Sequence, residues 1–399
     1  MKIRNQPIII VGAGPVGLYA AVCLVAAGRQ VVVLEKNRDL ARDMRASTFH
    51  PATLDLLDRQ QLAEPLAASG SIRQGWQYMI HGTKSHAVFD LEEIRDSTAH
   101  PYRLLCEQYY FTGLALERLA QSPLFEIRFQ TEVTGLEQRD GGLALDVRHP
   151  DGTDQLSTSW LIAADGAHSR IRGHLGLPFS GNELERGSIT LGLDHPFQED
   201  VPGLLGINYV WTEADFYSLM QIRDLWRFVY SPERGQDLDQ ALSDEAVQSH
   251  LQSVFPGTRP YRVLQRSAWS LQQRCLDSFR AGPVVFVGDA AHVESPSGGM
   301  GMNAGIHDAH CLVEHLLPVL DGEDDRLLDR YSRRRRTVTQ EEVQRLSSRN
   351  HFWHRESGPD QRQQIWSELQ DIVNDPSRAR DFLLDVSMIR SRRRELEID

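Results

Sequence analysis

The sequence predicts an α/β protein: a Rossmann-type, doubly wound domain, a second β-sheet inserted into it, and a helical C-terminal segment. Three observations predict it. The chain opens on an apolar run, a glycine-rich turn and a helix pattern. Two later apolar runs, at 160–164 and 283–287, each end in a corner that pairs an acid with a glycine. Between residues 181 and 275 the text changes to short aromatic strands. Alternating strand and helix patterns give a parallel sheet, and a block of strands alone gives a separate layer.

Taken in order, PIIIVG (residues 7–12) reads as a buried strand, and Gly12-Ala-Gly14-Pro15-Val16-Gly17 as a tight turn. LYAAVCLVAAG then reads as a helix ending at Gly28, and QVVVLE as a second strand closing on Glu35. A lone G-x-G-x-x-G is a weak signal. Here it lies between strand and helix and is followed by an acid at the end of the next strand, which is the arrangement of a dinucleotide site. The glycines let backbone approach a pyrophosphate, and Glu35, with Lys36 beside it, can take ribose hydroxyls.

Arg45, in MRASTFHPATLDLLD, is placed to reach a pyrophosphate or an approaching second nucleotide. Residues 75–102 turn to short strands, and YRLLCEQYYFTGLALERLAQ restores a helix with Gln108 near its start. From Phe125 to Ala164 the text is β-rich, with turns at Asp140-Gly and Asp151-Gly, and it ends in the corner Asp165-Gly166-Ala-His-Ser169-Arg-Ile-Arg172. The aromatic strands that follow offer Tyr209, Trp211, Tyr217, Met220 and Phe228 as lining for a small aromatic ligand. Alternation sends neighbouring residues to opposite faces, so the run is half core and half pocket.

PVVFV (283–287) is the next strand, and Gly288 to Asn303 (GDAAHVESPSGGMGMN) is the loop leading into the helix pattern AGIHDAHCLVEHLL. Asp289 stands where a polyol hydroxyl would be bound. The backbone amides of Gly301, Met302 and Asn303 at a helix start suit a group that becomes anionic. Gly299 to Ala304 resembles a second dinucleotide fingerprint, but it lies about ten residues past its strand and no strand with a terminal acid follows its helix. The remainder from about Asp324 is helical and arginine-rich.

Composition excludes several classes. A net charge of -12 over 399 residues argues against a nucleic-acid partner. The four scattered cysteines read as reduced, buried thiols, and no apolar run approaches the ~20 residues of a membrane span, so a cytoplasmic protein with no membrane partner is expected. His307, Asp308, His310, Cys311, Glu314 and His315 fall on one arc of a helix, an amphipathic pattern that needs no metal. Arg333 to Arg336 reads as a solvated helix face and His292 as a structural histidine.

The three corners, GxGxxG with Glu35, DGAHSRIR and GDAAHVESPSGGMGMN, resemble in this order the FAD-dependent aromatic hydroxylases, the group A flavoprotein monooxygenases of p-hydroxybenzoate hydroxylase type. The last corner matches that family's GD-x6-P-x-G-x2-GxN spacing throughout. The resemblance implies a GR2-like FAD-binding domain from residues 1–75, 101–180 and 276–322, a substrate domain from 76–100 and 181–275, and a C-terminal helical segment at 323–399. It implies FAD, NADH or NADPH as co-substrate, and O2, with a flavin C4a-hydroperoxide hydroxylating a phenolic, heteroaromatic or quinone-precursor substrate. Homodimers are common in such relatives.

In the roles that the resemblance implies, Gly12, Gly14, Pro15, Val16, Gly17, Glu35 and Lys36 belong to the cofactor site, Glu35 binding the adenosine ribose, and Arg45 and Gln108 hold the pyrophosphate and polyol region. Asp289, next to Gly288, takes the ribityl chain, and Asp165 with Gly166 belongs to a corner that this family associates with both FAD and NAD(P)H. Pro296, Gly299, Gly301, Met302 and Asn303 lie at the flavin ring, with Pro296 and Arg45 nearest the chemistry. Where hydroxybenzoate-type relatives keep a serine and an arginine clamp, Ser218 matches, Met220 stands near the arginine position, and Arg223 and Arg227 read as off register. An oxidase or dehydrogenase of the same fold, or a catalytically silent FAD-binding protein, are the alternatives.

Overall fold

The computed structural model describes residues 6–42, 44, 46–139, 141–213 and 215–399. Its central sheet has six strands in the order Arg280–Ala281, Val284–Phe286, Leu161–Ala163, Ile8–Val11, Val31–Leu34 and Phe125–Arg128. All pairings are parallel except that of Arg280–Ala281 with its neighbour. Every residue of IIIV and VVVL is buried, as expected of strands covered on both faces.

Register decides where the corners go. Val11 pairs with Leu34 on one side and with Ala163 on the other, and Ala163 pairs with Phe286. The carboxyl ends of four adjacent strands therefore deliver Gly12, Glu35, Asp165 and Gly288 to one edge of the sheet, where open α/β sheets bind ligands. The helix Pro15–Ala26 packs against the long helix Gly301–Asp321. A Cβ on Gly305 would lie 2.5 Å from Val16 Cγ2 and 3.0 Å from Gly288 Cα, so this approach requires glycine.

A second sheet has seven strands in the order Val263–Trp269, Ser188–Leu193, Leu225–Tyr230, Phe216–Ile222, Ile207–Trp211, Gly75–Ile80 and His86–Asp90. One face is apolar: Ile189, Leu191, Tyr217, Leu219, Phe228 and Tyr230 pack with Phe197, Phe255 and the helix Asp244–Val254. The opposite face carries Thr190, Tyr209, Ser218 and Arg227 and looks onto the Gly/Pro loop.

Helix Leu327–Val338 runs on through a π-helical turn, Thr339–Gln344, the α-helix Arg345–His351 and a second π-helical turn, Phe352–Glu356. Helices Pro359–Asn374, Pro376–Val386 and Ile389–Glu397 complete the chain. The segment docks on the second sheet through Trp211 Nε1, which donates to Trp353 O at 3.0 Å, and through Phe89 on Phe382, centroids 4.7 Å apart.

Three sequence readings need correction. The stretch from Tyr102 is not helical until Gln108, because Arg103–Leu105 is a strand held between Thr48–Phe49 and Ser71–Arg73. The arginine run is not a solvated face: Arg335 is wholly buried, paired with Asp308 and Glu395, and Arg334 is also buried. Apart from the exposed Glu314, the polar arc of the Gly301–Asp321 helix likewise faces inward, where His307 meets Thr53 Oγ1 at 2.9 Å and His310 meets Tyr19 Oη at 3.2 Å.

Candidate active site

One cavity of about 840 Å³ runs from the glycine turn to the polar face of the second sheet. Its nucleotide end is backbone. Gly12 has φ +108°, and a Cβ there would lie 2.3 Å from Ala164 O; a Cβ on Gly17 would lie 2.1 Å from Gly12 O. These two glycines let the turn close on the neighbouring strand. Gly14 differs, since an added Cβ would meet nothing within 4 Å, which leaves its backbone open to a ligand. Gly14 is the N-cap of the Pro15–Ala26 helix, and no side chain caps that helix.

Glu35 is fixed by its neighbours. Its Oε2 accepts from Ala13 N and its Oε1 from Asn37 N, each at 2.9 Å, and lone pairs remain for a ribose hydroxyl. Asp165 Oδ2 caps the short helix Arg170–His174, accepting from Arg170 N at 2.8 Å, while its buried Oδ1 has no partner among the described residues. Arg172 ties this corner to the next one, donating to Ala290 O at 3.0 Å. Gln108 opens its helix on the cavity wall.

The Gly288–Asn303 loop is held from beneath. Asp308 Oδ2 accepts from Gly288 N at 3.0 Å and from His292 Nε2 at 2.7 Å, and Asp308 Oδ1 accepts from Arg335 at 2.6 Å. Arg335 continues to Glu395 in the last helix, and Glu294 flanks His292 on its Nδ1 side at 3.0 Å. Burial would push the His292 imidazole toward neutrality, but Asp308 and Glu294 outweigh it and hold its pKa well above the usual value. Burial likewise opposes ionisation of Asp308, yet His292 and Arg335 hold its pKa below the ordinary one.

At the loop tip the Asn303 side chain acts as a clamp. Its Oδ1 accepts from His50 N at 3.0 Å, and its Nδ2 donates to Thr48 O at 2.8 Å and Gly299 O at 2.7 Å. The helix beginning at Gly301 has no side-chain cap, so its first amides are left for a ligand on the cavity. Two uncapped helix starts, an open glycine backbone and a row of carboxylates fit a dinucleotide with a polyol and an anionic ring. FAD has that chemistry.

Of the residues singled out from sequence, Gly12, Gly14, Pro15, Val16, Glu35, Lys36, Gln108, Asp165, Asp289, Pro296, Gly299, Gly301, Met302, Tyr209 and Met220 line the cavity. Gly17, Gly288 and Asn303 shape it from behind. Arg45 lies outside the described residues. Three aromatic candidates lie elsewhere. Tyr217 and Phe228 are on the far face of the sheet, because they alternate with Ser218 and Arg227. Trp211 shares a face with Tyr209 but is packed against Tyr78 and Trp353 beyond the cavity.

Sequence reading missed Arg227, which is not off register: it is the cross-strand partner of Met220, it lines the cavity, and it donates to Ser47 Oγ at 2.6 Å. It also missed Ser188, Thr190, His354 and Arg355 on the same walls, where Phe216 of the aromatic run lies too. A usable signal was present: Ser188, Thr190, Ser218 and Arg227 are polar residues alternating with core residues in buried strands, and such residues mark the pocket side.

Similarity to known proteins agrees with this geometry. The family described as "FAD binding domain" matches residues 5–346. Para-nitrophenol 4-monooxygenase of Pseudomonas sp. (strain WBC-3) is 32% identical over 396 residues, covering 97% of this chain and 96% of that protein. 6-hydroxy-3-succinoylpyridine 3-monooxygenase HspB of Pseudomonas putida (strain DSM 28022 / S16) is 29% identical over 403 residues, covering 95% and 97%. The crystal structure of p-nitrophenol 4-monooxygenase PnpA from Pseudomonas putida DLL-E4 superposes with a TM-score of 0.89 at 30% identity, over 95% of this chain and 97% of that one. The chain therefore belongs to the FAD binding domain family and, within it, to the flavin-dependent aromatic monooxygenases.

Proposed function

We propose that this enzyme hydroxylates a small phenol or hydroxylated heteroaromatic ring, using NADH or NADPH as reductant and O2 as oxidant. The observation that carries the reading is the single cavity in which the FAD-type corners and an aromatic-walled sheet face meet at Pro296. When bound, FAD supplies the electron transfer and oxygen activation; the protein supplies position, dryness and charge.

In this reading Glu35 holds the adenosine ribose, and the open backbone at Gly14 and the uncapped helix start beside it take the pyrophosphate, with Gln108, Lys36 and Arg45 around it. Asp289 and Asp165 bind polyol hydroxyls. The amides of Gly301, Met302 and Asn303 stabilise negative charge at the pyrimidine end of the ring. Pro296 and the sheet residues Tyr209, Phe216, Ser218 and Met220 enclose the substrate ring and exclude water. Four buried free thiols, and no helix among the described residues long and apolar enough to cross a membrane, support a cytoplasmic location.

Substrate-stimulated NAD(P)H oxidation over a panel of phenols and hydroxypyridines, with mass spectrometry of the products, tests the reading. Stimulation with a gain of one oxygen is expected. Oxidation that yields only H2O2 for every compound would overturn it.

A further inference from the structure

Glu294, in the loop before Pro296, belongs to the cavity wall, yet its side chain is only 1% exposed and sits behind that wall. Its Oε2 meets His292 Nδ1 at 3.0 Å, and its buried Oε1 has no hydrogen-bond partner among the described residues. A Cβ on Gly301 would lie 3.2 Å from Oε1, so this oxygen is directed at the first residue of the Gly301–Asp321 helix. A buried carboxylate oxygen left without a donor is costly, and its retention calls for a reason.

The charges around Glu294 alternate in sign. His292 faces it from the same loop, and Asp308 of the long helix holds the other side of His292 at 2.7 Å. Arg335 of the Leu327–Val338 helix pairs with Asp308, and Glu395 of the last helix pairs with Arg335. From the strand Gln272–Cys275 comes Cys275, whose thiol burial pushes up to about 11, leaving it neutral; the charge of Arg336 also acts on it. Gln344, which donates to Val293 O at 3.4 Å, is neutral as well. The series Glu395, Arg335, Asp308, His292, Glu294 therefore begins and ends on an anion. Glu395 has a second cation in Arg392 at 2.5 Å, whereas Glu294 shares His292 with Asp308 and has no other ion-pair partner among the described residues.

The start of the Gly301–Asp321 helix carries partial positive charge, and no side chain caps it. In the function proposed above, that charge serves the pyrimidine end of the flavin. Glu294 competes for it from behind. Oxidised flavin is neutral, whereas hydride transfer brings two electrons and one proton, releases NAD(P)+ and leaves the ring with one negative charge. Only the reduced state therefore meets repulsion from Glu294, and salt screens buried charges weakly. An interaction that differs between two states shifts the equilibrium between them.

We propose that Glu294 sets the reduction potential of the bound flavin, holding it low through a fixed negative charge behind the helix start. The inference rests on the FAD placement in the function proposed above. A low potential makes the reduced flavin a stronger electron donor to O2 and makes its formation from NAD(P)H less favourable, so Glu294 promotes the oxygen step at the expense of the reductive one. It touches neither ring nor substrate and acts through charge alone.

The test is the midpoint potential of the FAD-loaded enzyme, read from the flavin spectrum in equilibrium with reference dyes at one pH and one ionic strength. Glu294→Gln keeps an acceptor for His292 and removes the charge; it should favour reduction about tenfold or more, a rise of about 30 mV for a two-electron couple. Glu294→Asp keeps the charge and should stay within about threefold of wild type, or about 15 mV. Glu395→Gln, at the other end of the same series, should shift the potential less than Glu294→Gln does. FAD content and melting temperature show whether each variant is folded; should Glu294→Gln lose FAD, Glu294→Asn against Glu294→Asp makes the same comparison. An unchanged or lowered potential in the neutral variants, or an equal rise in Glu294→Asp or Glu395→Gln, would overturn the inference, even if coupled hydroxylation is seen. A raised potential in an enzyme that hydroxylates no phenol would instead sink the functional reading and leave the role of Glu294 standing.

Discussion

Replacing Arg335 by Met probes the link between the C-terminal helices and the Gly288–Asn303 loop. Arg335 is fully buried and donates to Asp308 at 2.6 Å, to Glu395, and to Ala304 O at 3.3 Å. Its loss leaves two buried carboxylates short of a cation. Asp308 keeps His292 at 2.7 Å and Glu395 keeps Arg392 at 2.5 Å, so the cost falls at the low end of the ~3–5 kcal/mol for breaking a buried pair, about 3 kcal/mol. For a chain longer than those in which 1 kcal/mol moves the midpoint by ~2–4 °C, that is a fall of about 3–6 °C. Because Asp308 also holds Gly288 N, flavin should be lost before the bulk of the helix unfolds. Thermal scans that follow released-flavin fluorescence and circular dichroism together measure both quantities. Arg335→Met together with Glu395→Met should recover part of the loss, since apolar replacement of a buried pair is often nearly neutral. A single variant melting within about 1 °C of wild type, with flavin release unchanged, would refute the coupling.

Other perturbations separate structural from ligand roles. Gly14→Val should leave the apoprotein's melting unchanged, since φ is -73° and the space is open, yet weaken FAD at least ~10-fold; Gly12→Ala, at φ +108°, should destabilise the fold itself, by ~1–3 kcal/mol of backbone strain before any clash. Asp289→Ala should purify depleted of FAD, and full retention measured by absorbance would remove Asp289 from the site. The His292 pKa is raised on folding, so its contribution is full below 6.5 and lost as pH rises through the folded value; that of Asp308 is present above 3.8 and lost as pH falls. Urea midpoints of His292→Gln should therefore decline less than wild type as pH rises above about 6.5.

Much of this architecture was legible because the corners are local. Gly12 to Glu35, Asp165-Gly166 and Gly288 to Asn303 each carry their own strand end and turn, and register aligns Val11, Ala163 and Phe286. The substrate wall was not, because it depends on which face of a doubly buried sheet is opposed by the loop. Tyr217 and Phe228 are as aromatic as Tyr209, and only the covering layer separates core from pocket. Arg227 was misjudged because register follows from pairing across the Arg223–Asp224 turn, where Arg223 takes φ +53°. His354 and Arg355 were invisible for a different reason: a π-turn leaves no periodic signature, and their contacts come from residues more than 100 positions away.

The central claim is oxygen transfer to an aromatic ring, and turnover under 18O2 measures it most directly. The account predicts one 18O atom in the product hydroxyl for each NAD(P)H consumed in the presence of the right phenol, with H2O2 a minor product. Label entering from H2 18O, or NAD(P)H consumption that ends wholly in H2O2 whatever the phenol, would contradict it.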